Sequence, residues 1–130
     1  MKFKASLLGA FFAGSTVALL MGLPSRKIYG LLAVLLGVLA GIYLGAAFAT
    51  GRATPKLTEG AAVLVFSALA VWGIWRSPLY LAAGYLAHGL WNLAHHRKEA
   101  RMGIPAWWPP FCLVYDWVIA GAIFLLWLKG

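Results

Sequence analysis

Acidic residues are nearly missing from this chain: only three Asp and Glu occur in 130 residues, against 11 Lys and Arg. All charged residues together make up 11% of the sequence, whereas 63% of it is hydrophobic. A globular domain carries about a quarter charged residues, and a small one has the most surface to cover. A water-soluble fold is therefore excluded, and the apolar surplus calls for lipid in a single transmembrane domain. Cysteine is limited to Cys112, which rules out an internal disulfide and a multi-thiolate zinc site. No arginine-rich helix, zinc-finger spacing or other nucleic-acid module accompanies the net charge of +8. The basic residues stand singly or in small groups between apolar runs, as loops beside anionic lipid headgroups do. Membrane lipids, not nucleic acid, are the expected partners. Nor is there an internal or inverted repeat of the kind on which many transporter folds are built.

Long apolar runs fill the rest. They predict an all-α integral membrane bundle of five helices, over residues 5–23, 28–50, 57–75, 79–96 and 110–128. Barrel strands are short and alternate apolar with polar positions. These runs are long and apolar throughout, and within lipid a helix satisfies its own backbone hydrogen bonds. Lys2 and Lys4 precede the first run like the basic start of a signal peptide, but its length reads as a retained anchor. Glu59 and Gly60 shorten the clean core of the third run, so the alternative is four spans with a re-entrant third segment. Pro109 and Pro110 open the fifth, where a missing N–H costs nothing.

Lys and Arg divide unevenly between the two sides. Lys2, Lys4, Arg52, Lys56, Arg97, Lys98 and Arg101 lie on one, and Arg26, Lys27, Arg76 and Lys129 on the other. The richer side faces the cytoplasm, so in a cell (inner) membrane the N-terminus is expected inside and the C-terminus on the opposite side. Trp72, Trp75, Tyr80, Trp107, Trp108 and Trp127 fall near the ends of runs, as an interfacial belt of aromatic rings requires.

Small residues recur every fourth position in the first two runs: Ser6, Ala10, Gly14, Ala18 and Gly22, then Ala33, Gly37, Gly41, Gly45 and Ala49. That spacing lines one helix face and lets backbones approach. Gly14, Gly37, Gly41 and Gly45 are therefore expected to pack the two helices against each other, or to form a seam in a homo-oligomer.

The fourth run carries all three histidines of the chain. At about 100° per residue, His88, Asn92, His95 and Glu99 share an arc of about 60°, bordered by Trp91 and His96. Cys112 and Asp116, four apart, share a face of the fifth run. Counting residues from the shared loop puts Asp116 level with His88 and Asn92, and Cys112 level with His95. A carboxylate costs about 2.5–3.5 kcal/mol at a membrane-helix centre on insertion scales, so Asp116 needs a partner, and His88 is the one expected.

Several chemistries use such residues. Asp116 bonded to His88 or Asn92 would simply lock two helices together, as in an accessory subunit of a larger membrane complex. His88, His95, His96 and Asp116 are a donor set for a metal ion or haem, since neutral imidazole and carboxylate suit zinc, iron or copper. His88, Trp91, Asn92, His95, Cys112 and Asp116 could line a site for a lipid-like molecule, with His88 as acid or base oriented by Asp116. The same groups would serve as a proton relay in a carrier.

The stretch His88-x2-Trp91-x3-His95-His96, then Pro105, then Cys112-x3-Asp116, resembles a family of small bacterial membrane proteins grouped as a domain of unknown function. The resemblance covers about the last third of the chain. The family pattern has Asp where this chain has Asn92, which removes one carboxylate that a metal site might use. The resemblance implies that the cluster is a family feature, and implies no activity. Pro105-x-Trp107-Trp108-Pro109-Pro110 is also similar to the tryptophan- and proline-rich motif of the five-helix translocator proteins that bind porphyrins and sterols. There it opens an early helix rather than the last, and the match is read as chance.

Overall fold

A computed structural model describes residues 2–95 and 103–130, and over these the chain is helical without a strand. Five helices are present among the described residues: α1 (Lys2–Leu20), α2 (Ser25–Thr50), α3 (Ala53–Trp75), α4 (Pro78–His95) and α5 (Trp108–Lys129). Four of them, α1, α2, α3 and α5, are long and apolar enough to cross a membrane. The third segment is one continuous helix of 23 residues, about 34 Å long, with the length and apolarity of a span. The helix less apolar than these is α4, Pro78–His95. Its deficit is the polar side chains at His88, Asn92 and His95, and all three are buried.

Helix ends follow local chemistry. Pro24 is the N-cap of α2, so Arg26 and Lys27 fall in its first turn rather than in the loop. Gly51 ends α2 at φ 71°, a left-handed conformation natural to glycine, and its N–H bonds to the Phe48 carbonyl. The α3–α4 connection is two residues long, and the Ser77 hydroxyl accepts the Leu79 N–H at 3.3 Å. Pro109 and Pro110 lie in the first turn of α5.

The bundle is organised around α4, which packs on α5, α3 and α2, while α2 lies along α3 and α1 along α5. This corrects the expected pairing of the first two helices. The α1 row that is buried is Ala5, Gly9 and Ala13, one position before the small-residue row. A Cβ on Gly9 would collide with the Phe111 backbone carbonyl of α5. On α2 the inward face carries Leu32, Leu36, Leu39, Tyr43 and Ala47. Large side chains bury more area than glycines do, and this face took the interior. A Cβ on Gly14, Gly37, Gly41 or Gly45 would meet nothing within 4 Å, so their expected close packing is not made among the described residues. The tight approaches are made instead by Gly9, by Gly73 against Leu81, and by Gly84 and Gly89 on α4.

Candidate functional site

His88, Asn92 and His95 project from the inward side of α4 and are at most 4% exposed. Asp116 on α5 is fully buried beside them. His88 Nδ1 lies 2.6 Å from Asp116 Oδ2, and Asn92 donates through Nδ2 to the same oxygen at 2.8 Å. The depth count from the shared loop thus placed this trio correctly. Asn92 in turn accepts a 2.6 Å hydrogen bond from the Tyr43 hydroxyl of α2. The edge of the Phe66 ring closes on His88 from α3, with ring centroids 5.0 Å apart.

His95 belongs to a second pair. Its Nε2 meets Glu59 Oε1, a residue of α3 that is only 2% exposed. Trp91 donates its indole N–H to the other carboxylate oxygen at 3.0 Å. His95 Nδ1 lies 2.8 Å from the Trp91 carbonyl. A carbonyl can only accept, so Nδ1 carries a hydrogen. Nε2 then either accepts a proton from a neutral Glu59 or donates one to a Glu59 carboxylate. In both forms the pair is neutral overall, the state a low-dielectric interior favours. The Tyr43 ring lies over the His95 ring with centroids 4.1 Å apart, so Tyr43 touches both pairs. Ile104, with Tyr43 and Ala47, forms a small apolar cluster against which Trp91 and Trp108 pack.

Glu59 is the functional residue that sequence reasoning missed. It was visible as one of only three acids in the chain, but six residues into α3 it passed for punctuation near a helix start. The other expected members divide as follows. Trp91 reaches the site through Glu59. Cys112 is fully buried in the apolar core and makes no hydrogen bond among the described residues. His96 and Glu99 lie outside the described residues. The structure does not bring His88, His95 and Asp116 to one point, because each histidine turns to its own carboxylate about 10 Å apart along α4. Among the described residues, no three His, Cys, Asp or Glu side chains gather as metal ligands would.

Three buried polar atoms have no partner among the described residues: His88 Nε2, Asp116 Oδ1 and the Trp108 indole nitrogen. The first two sit on the deeper pair. Whichever tautomer His88 adopts, Nε2 presents either a lone pair or an N–H to nothing. Buried polar groups are nearly always satisfied, and leaving one unpaired costs about 1–3 kcal/mol.

Apolar helices of membrane-spanning length enclosing a buried His/Asn/Asp cluster give the class: an α-helical protein of the integral membrane type. The chain belongs to a family of unknown function (DUF6010), whose model matches residues 5–128. The match extends over nearly the whole chain the resemblance first noted in its last third. No curated protein and no solved structure matches the chain.

Proposed function

We propose that this is a multi-pass protein of the cell (inner) membrane, N-terminus cytoplasmic, holding at its centre a site for the polar group of a lipid-like molecule. His88 acts there as acid or base, and Asp116 orients it. The observation that carries this reading is the pair of unpartnered atoms, His88 Nε2 and Asp116 Oδ1, on side chains with no exposure. A helix lock has no use for orphaned atoms inside lipid, where no water compensates. A ligand hydroxyl supplies both a hydrogen for Oδ1 and lone pairs for an Nε2–H. The bilayer is the natural source of such a molecule for a buried site.

The test is solvent extraction and mass spectrometry of purified wild type, His88→Ala and Asp116→Asn, with elemental analysis and an absorption spectrum of each. An amphiphile bound to wild type and lost from both variants supports the reading. A metal or haem lost from both would replace it with metal or haem binding. Wild type carrying nothing, with Asp116→Asn fully stable, would sink it.

A second reading is favoured by the direct bonds from Asn92 to Asp116 and from Tyr43 to Asn92. These tie α2, α4 and α5 together and suit a structural or accessory subunit of a larger membrane complex. The outward-facing small residues Gly14 and Gly45 suit contact with another chain, including a second copy.

A further inference from the structure

At the end of the bundle remote from Glu59 and His95, two arginines flank one cleft. Arg26 lies in the first turn of α2, and Arg76 caps the end of α3. The cleft measures about 560 Å³ and is completed by Tyr29, Ser77 and the backbone turn at Gly73 to Trp75. Neither guanidinium has a hydrogen-bond or ion-pair partner among the described residues. The two described acidic side chains are both engaged with histidines, and Glu59 lies nearly the length of α3 away, about 24 Å. The cleft sits at the start of α2 and of α4, whose dipoles present positive ends, and at the end of α3, whose dipole presents a negative one, so its positive charge comes from the two guanidiniums. The lining is therefore cationic and rich in donors, since Arg, Tyr and Ser side chains all suit a phosphate oxygen.

The remaining wall is apolar and faces outward. Ile74 is 51% and Trp75 76% exposed, and Trp72 and Tyr80 line an adjoining cleft that shares Arg76. Aromatic rings of this kind mark the headgroup level. An anionic group held between the arginines would thus have hydrocarbon-compatible surface beside it. A free inorganic anion has no use for that surface, and a phospholipid does.

We infer that the Arg26–Arg76 cleft binds the phosphate of an anionic phospholipid headgroup, in the leaflet on the side of the α1–α2 and α3–α4 connections. The site is independent of the interior His88–Asp116 site. Arginine forks fit phosphate oxygens in pairs, and a basic residue near an anionic surface contributes about a fivefold gain in affinity.

Full-length protein in a neutral detergent is titrated with dioleoylphosphatidylglycerol, dioleoylphosphatidylcholine and inorganic phosphate, and bound molecules are counted by native mass spectrometry. The anionic lipid should bind at least about tenfold more tightly than the zwitterionic one. Arg26→Gln with Arg76→Gln should cut that affinity roughly thirtyfold. Lys56→Gln, which removes one charge at the other end of α3, should leave it unchanged. Both arginines are exposed, so the double variant should keep the wild-type melting temperature. Equal binding of the two lipids by wild type would overturn the inference. So would a loss in Lys56→Gln as large as in the arginine pair. Inorganic phosphate binding as tightly as the lipid would overturn the lipid assignment.

Discussion

Glu59 and Asp116 each spend their burial on a histidine, but the two pairs differ in how completely they are satisfied. Around Glu59 every polar atom has a use: one oxygen takes the Trp91 N–H, and the other meets His95. Glutamine can reproduce that pattern, its oxygen accepting from Trp91 and its amide donating to Nε2 of a neutral His95. Glu59→Gln is therefore expected to cost less than about 1 kcal/mol, and Glu59→Leu about 2–4 kcal/mol, because it strands Trp91 Nε1 and His95 Nε2 in the interior. Thermal unfolding in detergent separates the two; equal losses would mean that the pair contributes nothing beyond volume. Asn92 is the more exposed to disruption, since it joins Tyr43 to Asp116 with one amide. Asn92→Leu leaves both partners short of a bond and should cost about 2–4 kcal/mol on the same scale. A loss below about 0.5 kcal/mol would show that the bridge is not made.

Between helices, the close contacts are set by where a backbone has no room for a side chain. Gly9→Ala places a methyl group against the Phe111 carbonyl, and backbone cannot swing aside as a side chain tip does. A destabilisation of about 1–3 kcal/mol is expected, as α1 is forced off α5. A Cβ at position 41 meets nothing within 4 Å, and Gly41→Leu should stay within about 0.5 kcal/mol. Detergent melting curves of the two variants test both statements together. If Gly41→Leu is the damaging one, α2 must press on another surface through its small-residue row. In that case size-exclusion chromatography would show the oligomer that the row serves. The polarity of α4 has a related explanation at this level. A helix enclosed by α5, α3 and α2 need not be apolar all round to be tolerated in a bilayer, because its polar face meets protein instead of lipid.

For the molecule as a whole, the two ends carry different chemistry. One holds the Glu59–His95 pair with Tyr43 against the His95 ring, and the other holds Arg26 and Arg76. In the proposed orientation, which rests on the basic count, the first end faces the cytoplasm. With Cys112 replaced by Ser, a single cysteine at Ser77 should react with an impermeant thiol reagent on intact cells, and one at Thr54 should not. Reaction at 54 alone would invert the topology. Reaction at both would mean that α3 does not separate the two sides.

The number, order and approximate limits of the helices were legible in the sequence, because run length and proline position are local properties that lipid reads directly. The meeting of His88, Asn92 and Asp116 was legible too, since α4 and α5 are consecutive and depth can be counted from their shared loop. What the sequence left open was rotation. A helix turned by about 100° exposes the next row of residues, and only the neighbours decide which row is covered. That choice put Leu36 and Tyr43 inward on α2 in place of Gly37 and Gly41, and sent α1 to α5. It also brought Glu59 from α3 to His95, leaving the deeper pair with Asp116 Oδ1 and His88 Nε2 unpaired. Packing settled these matters because burying large side chains, and not leaving a buried acid without a partner, outweighs what any single helix's own pattern specifies.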